Sequence, residues 1–230
     1  MRALLLDLDD TLLDYSGGAD ACWEAACAEV QPPVEAAALL RALGETRRWF
    51  WSDPVRHRRE RVDMPNAWRQ IAAHALARCG VDGAAPAHAL AEAYAARSRA
   101  TMRLFPDTLD CLRRLRADGL PLGLVTNGDA REQRDKLARY GLGAFFDVVV
   151  IEGERGAGKP DEVVYREALA VLGARADEAA MAGDHLEFDV AAPQRLGLRG
   201  IWVDRAGRGV PADSPVRPDR VIRGLGELLP

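Results

Sequence analysis

The chain contains five short apolar runs, and each of them ends in polar residues. Runs of this length, bounded by turn-forming residues, predict buried β-strands. Segments with helical periodicity lie between them, at 106–118, 130–139, 160–173 and 187–197. This alternation predicts an α/β fold, a doubly wound parallel sheet that helices cover on both faces. The predicted strands are Ala3 to Leu8, Leu120 to Thr126, Asp147 to Ile151, Ala179 to Gly183, and Ile201 to Val203.

The segment from 16 to 102 breaks this alternation. It is rich in alanine, arginine and tryptophan, and its periodicity is helical, without a convincing strand. Helices are predicted at 19–30, 34–51, 65–79 and 86–102, with proline- or glycine-containing turns between them. We therefore predict a core domain formed by residues 1–15 and 103–230. Residues 16–102 are predicted to form an inserted α-helical cap domain.

At 230 residues, the chain is long enough for a core domain that carries an insertion. Its composition, 48% hydrophobic and 29% charged residues, is that of an ordinary soluble protein, and its apolar runs are too short to span a bilayer. We expect a cytoplasmic protein without membrane contact. The net charge of -4 gives no reason to expect nucleic-acid binding. The spacing of the four cysteines predicts reduced thiols and no metal site.

Polar side chains stand at the ends of several predicted strands. In a parallel sheet, ligands bind beyond the carboxyl ends of the strands, where Asp7, Asp9, Thr126 and Asp184 would collect. With two carboxylates, one can attack phosphorus while the second protonates the leaving oxygen and then activates water. Taken alone, however, an Asp-x-Asp pair is explained more simply by acids that end a strand and cap a turn.

Only two lysines occur in the chain, Lys136 and Lys159, so lysine is an unusual choice here. The segment from Gly153 to Lys159 fits the first seven positions of a phosphate-binding P-loop. Pro160 stands where such a loop requires Ser or Thr for magnesium, and proline lacks the backbone N–H that the loop would offer to phosphate. We therefore do not interpret Lys159 as a P-loop lysine.

Four segments with polar residues follow each other along the chain at the predicted strand ends and loops. They are Asp7-Leu8-Asp9-Asp10-Thr11, Val125-Thr126-Asn127-Gly128, Gly158-Lys159-Pro160, and Gly183-Asp184-His185-Leu186-Glu187-Phe188-Asp189. In this order they resemble the motifs of the haloacid dehalogenase superfamily, and the resemblance covers essentially the whole chain. It implies a Rossmann-like core with a helical cap inserted after the first segment.

The resemblance implies a division of roles among the acids and the lysine. Asp7 would be the nucleophile and Asp9 the general acid and base, while Lys159 would neutralise the nucleophile and the phosphate. Asp7, the backbone carbonyl of Asp9, and Asp184 would bind Mg2+, and Asp189 would support these metal ligands. Cations of this kind are needed because phosphoryl and carboxylate groups repel each other in a small site. Hard oxygen ligands favour Mg2+.

The same resemblance assigns the second segment to substrate binding. Thr126 would bind the transferring phosphoryl group, and Asn127 and Gly128 would add backbone N–H donors. His185, which follows the metal acid directly, is interpreted as an accessory residue and not as a catalytic one.

The acid at Asp9 favours a phosphatase, since dehalogenases of the superfamily typically carry tyrosine and glycine where this chain has Asp9 and Asp10. We predict a Mg2+-dependent phosphohydrolase that acts on a small phosphorylated metabolite through an aspartyl phosphate. A sugar phosphomutase shares this intermediate and remains an alternative, as does a haloacid dehalogenase. A non-catalytic phosphate-binding protein is a further hypothesis, although such proteins typically lose the nucleophile or the metal acid. The sequence does not predict the oligomeric state.

The predicted cap combines aromatic and cationic side chains. These residues either grip an anionic substrate or form a hydrophobic core beside a solvated basic face, which is the more common arrangement. The set consists of Trp49, Phe50, Trp51, Arg56, Arg58, Arg59 and Trp68.

Overall fold

The computed structural model describes residues 1–229. The chain divides into two compact units, one formed by Met1–Asp14 with the chain from Arg103 onward, the other by Tyr15–Met102. Among the described residues we find no helix whose length and apolar character would let it cross a membrane.

The regular elements are numbered here in chain order. The strands are β1 Ala3–Leu6, β2 Leu13–Asp14, β3 Arg103–Leu104, β4 Leu122–Thr126, β5 Val148–Ile151, β6 Ala179–Gly183, β7 Arg199–Val203 and β8 Arg220–Ile222. The α-helices are α1 Ala19–Val30, α2 Ala36–Ser52, α3 Pro54–Glu60, α4 Met64–Arg78, α5 Ala84–Thr101, α6 Thr108–Ala117, α7 Ala130–Arg139, α8 Glu152–Arg155, α9 Glu162–Leu172 and α10 Ala192–Arg195. Short 3-10 turns occupy Leu142–Phe145, Ala176–Glu178 and Leu225–Leu228.

The first unit is built on a parallel sheet that has six strands within residues 1–229, in the order β5-β4-β1-β6-β7-β8. Its strands are apolar because both faces are covered, and all four residues of β1 are buried. Helix α9 packs on β1, β4 and β5, and α10 packs on β7. The structure therefore confirms the predicted α/β fold with a doubly wound parallel sheet.

Strand β1 occupies the point where the direction of strand addition reverses. Leu4 pairs with Leu122 of β4 on one side and with Ala180 of β6 on the other. From β1 the chain first builds towards β5 and then returns to build towards β8. Ligands of open α/β sheets bind at such a reversal, beyond the carboxyl ends of the strands. The ends of β1, β4 and β6 are thus the expected place for a site.

The helix predicted at 187–197 is not a regular α-helix. Its first part, Leu186–Ala191, is π-helical, and only the next turn is α10. The side chain of Asp189 accepts a hydrogen bond from the backbone N–H of His185 at 3.0 Å. Single π-helical turns are frequent at functional sites, and this one carries the last acid of the predicted metal segment.

The two short strands β2 and β3 form a separate antiparallel pair that the sequence analysis missed. Leu13 pairs with Leu104, and Asp14 pairs with Arg103. This pairing lies where the chain leaves the first unit and where it returns. Strands of two residues carry too little periodicity to be recognised in a sequence.

Residues 15–102 form five α-helices, α1 to α5. The core of this unit contains Trp23 stacked on Tyr94 with ring centroids 4.0 Å apart, and Trp68 packed edge-on against the same tyrosine. Helix α3 was not predicted, although Asp53 caps its N-terminus by accepting a hydrogen bond from the N–H of Arg56, and Pro54 begins it. The sequence analysis predicts only a proline-containing turn between two helices at this position.

The cysteines all lie in the described part of the chain, and all four are free thiols. Three of them are buried and Cys79 is half-buried, and their free state agrees with the predicted reduced thiols. Burial raises the pKa of both Cys27 and Cys111 to about 11.

Candidate active site

The carboxyl ends of β1, β4 and β6 bring the predicted segments together. Asp7 follows β1 directly, Thr126 is the last residue of β4, and Asp184 follows β6. Asp7 and Thr126 are buried. After Asp9 the chain turns through Asp10, whose φ of 58° lies in the left-handed region that Asp tolerates. Asp9 lies beyond the end of β1, so it is not bound by strand alternation.

Lys159 lies between two buried carboxylates. Its Nζ donates to Oδ1 of Asp7 and to Oδ1 of Asp189, each at 2.6 Å. The lysine is 2% exposed and Asp189 is fully buried. Burial alone would lower the pKa of Lys159. The charges of Asp189 and Asp7 have the larger effect and raise this pKa above its usual value. Lys159 is therefore a permanent cation against the predicted nucleophile.

Asn127 holds the loop that carries Lys159. Its side-chain Nδ2 donates to the carbonyl of Lys159 at 2.9 Å, and its Oδ1 accepts from the N–H of Lys159 at 2.7 Å. A Cβ atom on Gly158 would lie 2.7 Å from Asn127 Oδ1 and closer still to Glu152. The glycine of this segment is therefore required by a close approach, and the side chain of Asn127 orients Lys159.

The backbone N–H of Gly128 has an acceptor within the protein. It donates to Oε2 of the buried Glu152 at 3.0 Å. This N–H was expected to donate to a phosphoryl group of the substrate. In the structure it donates to Glu152. The hydrogen bond joins the loop after β4 to the start of α8, so in this structure Gly128 has a structural contact.

Thr11 links the nucleophile to the metal acid, a role that the sequence analysis did not give it. Its hydroxyl donates to Oδ2 of Asp7 at 3.1 Å and accepts from the backbone N–H of Asp184 at 3.1 Å. Thr11 is fully buried. Gly183 precedes Asp184, and a Cβ at this position would lie 2.3 Å from the carboxyl group of Asp189. Only glycine at this position leaves room for the Asp189 carboxyl group of the same segment.

Three carboxylates converge on one point. Oxygen atoms of Asp7, Asp184 and Asp189 all lie within 4.8 Å of one another. Burial raises the pKa of Asp7 to about 7, against the opposing effect of Lys159. Burial, and then the charge of Asp7, raise the pKa of Asp184 to about 9. A single lysine does not balance two buried acids and the half-buried Asp184, so the cluster suits an additional hard cation. Asp189, predicted to stand behind the metal ligands, belongs to this cluster itself.

Asp9 is not a member of this cluster. Side chains of helix α7 donate hydrogen bonds to its carboxylate. Lys136 Nζ donates to both carboxylate oxygens of Asp9, at 2.9 and 2.8 Å. Gln133 Nε2 donates to Asp9 Oδ2 at 3.1 Å and to the hydroxyl oxygen of Thr126 at 2.6 Å. The sequence analysis missed Gln133 and Lys136, although the rarity of lysine marked Lys136 as unusual. The hydroxyl of Thr126 is thus oriented by a neighbour of Asp9.

His185 and several of the aromatic and basic residues between positions 15 and 102 have structural contacts. The His185 ring stacks on Phe188 with centroids 3.8 Å apart. The guanidinium of Arg56 donates to the carbonyls of Trp49 and Phe50 at the end of α2 and covers the Trp49 ring at 4.1 Å. These contacts give Arg56 a structural role at the end of α2 and do not favour substrate binding by it. Phe50 and Trp68 are buried in the core of this unit, and Trp49 is about half exposed.

Comparison with known proteins gives consistent matches. A family model described as haloacid dehalogenase-like hydrolase matches residues 1–197. Phosphoserine phosphatase of Thermus thermophilus is 36% identical over 100% of this chain and 98% of that protein. Glyceraldehyde 3-phosphate phosphatase of Methanopyrus kandleri is 32% identical over 99% of this chain and 98% of that protein. The crystal structure of a 2-haloacid dehalogenase from Pseudomonas syringae superposes with a TM-score of 0.63 at 31% identity, covering 99% of this chain and 96% of that one.

Proposed function

The chain belongs to the haloacid dehalogenase-like hydrolase family and is a hydrolase of phosphoric monoesters, and we propose that it is a Mg2+-dependent phosphatase whose nucleophile is Asp7. The observation that carries the proposal is the environment of Asp7. Its carboxylate is buried and forms an ion pair with Lys159. It also belongs to a cluster with Asp184 and Asp189 that suits one hard cation. The substrate class that we propose is a small phosphorylated metabolite.

We propose that Mg2+ binds to Asp7, Asp184 and the backbone carbonyl of Asp9, with Asp189 in the same acidic cluster. The ion would supply positive charge against the phosphoryl oxygens and against the carboxylates. The three convergent carboxylates support this assignment, since Mg2+ prefers oxygen ligands and is commonly held by one or two carboxylates together with substrate phosphate.

The first chemical step transfers the phosphoryl group to the protein. An oxygen of Asp7 forms a bond to phosphorus, and the bond from phosphorus to the ester oxygen breaks. Lys159 holds Asp7 at 2.6 Å and offsets its charge against the incoming phosphate. The Thr126 hydroxyl, at the end of β4, binds the phosphoryl oxygens during transfer. Asp9 donates a proton to the departing oxygen, so the product leaves as a neutral alcohol.

The second step releases phosphate. Asp9, now ionised, takes a proton from water, and the water oxygen bonds to the phosphorus of the aspartyl phosphate. The bond between this phosphorus and the Asp7 oxygen breaks, which restores the carboxylate. The two steps need one acid that attacks and one that carries a proton. The different surroundings of Asp7 and Asp9 support this division, because Asp7 is buried and Asp9 is half-buried.

Residues 15–102 are proposed as the cap that selects the substrate. The named substrates of the two relatives, phosphoserine and glyceraldehyde 3-phosphate, are the first compounds that we would test, within a panel of phosphorylated metabolites. Hydrolysis of one of them, together with a low rate on sugar bisphosphates, would support a phosphatase. Formation of an isomeric sugar phosphate would support the phosphomutase alternative.

The structural likeness to a dehalogenase makes halide release the second activity to measure. The test uses p-nitrophenyl phosphate and 2-chloropropionate with purified protein, with Mg2+ and with EDTA. We expect phosphate release that needs Mg2+ and falls by at least about 10³-fold in Asp7→Asn, and no chloride release. Equal phosphatase activity in Asp7→Asn would refute the nucleophile assignment, and chloride release would favour the dehalogenase.

A further inference from the structure

Both lysines of this chain form ion pairs with acids that follow β1. Lys159 pairs with Asp7, and Lys136 pairs with Asp9. The first pairing belongs to the site described above. The second brings a residue of helix α7 to an acid 127 positions away in the sequence. In a chain whose cations are otherwise arginine, both lysines are placed on a proposed catalytic carboxylate.

The contact between Lys136 and Asp9 is closely defined. The lysine side chain is 9% exposed, and its ammonium reaches both oxygens of the Asp9 carboxylate, at 2.9 and 2.8 Å. A third hydrogen bond goes to Oε1 of Gln133 at 2.7 Å. An ammonium has three protons to donate, so the contacts with Asp9 and Gln133 provide three acceptors. A lysine held in this way has lost the freedom that such a side chain has at the surface.

The contact with Lys136 also sets the orientation of the Gln133 amide. Since Oε1 accepts from Lys136, the Nε2 group faces Asp9 Oδ2 and the Thr126 hydroxyl and donates to both. Gln133 is 2% exposed. The result is a continuous network from Lys136 through Asp9 and Gln133 to Thr126. It joins the proposed proton carrier to the residue proposed to bind the phosphoryl group.

The buried face of α7 is unusual for a helix of a globular domain. Its buried residues are Gln133, Lys136 and Leu137, so two of the three are polar. Apolar side chains normally fill such a face, and a buried ammonium is unfavourable unless it is paired. Packing alone does not require these two residue types, whereas a hold on the Asp9 carboxylate does.

We infer that Lys136, together with Gln133, positions the Asp9 carboxylate for its proton transfers. The inference rests on the proposed function, because it assigns the two residues to the proton carrier of that reaction. Neither residue needs to touch the substrate, so both are positioning residues. Their effect depends on how much help the leaving oxygen needs from a proton.

This dependence separates a positioning role from a purely structural one. The leaving group of p-nitrophenyl phosphate is a weak base and departs without a proton, whereas that of phenyl phosphate is a much stronger base and needs one. If Lys136 acts through Asp9, its loss lowers kcat/KM mainly for phenyl phosphate. A protein that has lost part of its active fraction shows the same fractional loss for both esters.

The experiment compares Lys136→Met with Arg131→Met, which removes an exposed cation, 91% accessible, from the same helix. For Lys136→Met we expect kcat/KM for phenyl phosphate to fall by at least about 10-fold, and that for p-nitrophenyl phosphate by less than about 3-fold. Arg131→Met should leave both values unchanged. Lys136→Arg, which keeps the cation, should recover part of the loss. If Lys136→Met does not fold, Gln133→Leu serves for the same comparison of the two esters.

A double-mutant cycle with Asp9→Asn completes the test. When the carboxylate is gone, Lys136→Met should cause no further loss with phenyl phosphate, because residues that act through one group are not additive. Equal losses for both esters, or an undiminished effect of Lys136→Met in the Asp9→Asn protein, would overturn the positioning role alone. A wild-type protein that hydrolyses neither ester would overturn the proposed function, and the inference with it.

Discussion

Replacement of Lys159 by methionine should destabilise the metal-free protein strongly. The lysine is 2% exposed and contacts two buried carboxylates, Asp7 and Asp189, at 2.6 Å each. Methionine preserves the bulk of the side chain but removes the charge. Two acids then remain buried beside Asp184 without their cation. Removing one partner of a buried ion pair typically costs about 3–5 kcal/mol, a large part of a domain's total stability of about 5–15 kcal/mol.

The measurement is urea unfolding in EDTA, followed by circular dichroism, for the wild type and Lys159→Met. The free energy of unfolding should fall by about 3–5 kcal/mol at pH 8. The loss should shrink at pH 5, because protonation removes the charge of the unpaired acids. Added Mg2+ should restore part of the stability at pH 8, since a bound cation replaces the missing charge.

The matched control is Arg2→Met, which breaks an exposed ion pair. Arg2 contacts Glu178 at 3.4 Å with its side chain 75% exposed, and such pairs contribute about 0–1 kcal/mol. If Lys159→Met costs no more than this control, or if its cost is the same at pH 5 and pH 8, our account of Lys159 as the balancing cation of the acidic cluster is wrong.

Two further predictions concern pH and the helical unit. In the metal-free protein the pKa values of Asp7, about 7, and Asp184, about 9, lie above the ordinary value of 3.8, so the folded state holds these protons more tightly and the free energy of unfolding should fall as pH rises towards 9. Mg2+ must displace the same protons, so calorimetry should show tighter binding at higher pH with proton release; a pH-independent Kd would contradict this. Arg56→Ala should lower the unfolding free energy by about 0.5–1.5 kcal/mol, because the Phe50 carbonyl loses its side-chain donor and the Trp49 carbonyl keeps only the Ser52 hydroxyl, with KM for p-nitrophenyl phosphate unchanged. A raised KM at unchanged stability would favour substrate binding by Arg56.

The strands and helices that follow from local patterns of apolar residues could be predicted from the sequence. The strand at 179–183 is observed with the predicted bounds, since a buried parallel strand is a continuous apolar run. The strand predicted to reach Leu8 ends at Leu6, because the Leu8 carbonyl accepts the N–H groups of residues 12 and 13 in the following turn and not those of a neighbouring strand. The helix predicted to start at 34 starts at Ala36, because the side chain of Glu35 accepts the N–H groups of residues 37 and 38 and so acts as the cap.

Contacts between distant residues could not be predicted in the same way. The segments with Asp7, Lys159 and Asp184 were recognised because their resemblance is a property of short stretches of sequence. The contact of Lys136 with Asp9 depends on which face of α7 is buried. Two of the three buried residues of this helix are polar, so an apolar pattern does not identify that face. Thr11 was likewise missed, because its two hydrogen bonds depend on the distance between the ends of β1 and β6.

The short pair of β2 and β3 has a consequence for how this chain can diversify. Asp14 and Arg103 stand opposite each other in register, so the intervening polypeptide leaves the sheet-bearing unit and rejoins it at adjacent positions. An insert with closely spaced ends can be lengthened, shortened or exchanged as a block without altering the register of the six strands. Selection can therefore remodel the inserted helices as a module, while the carboxylates and their two lysines stay where the sheet has placed them.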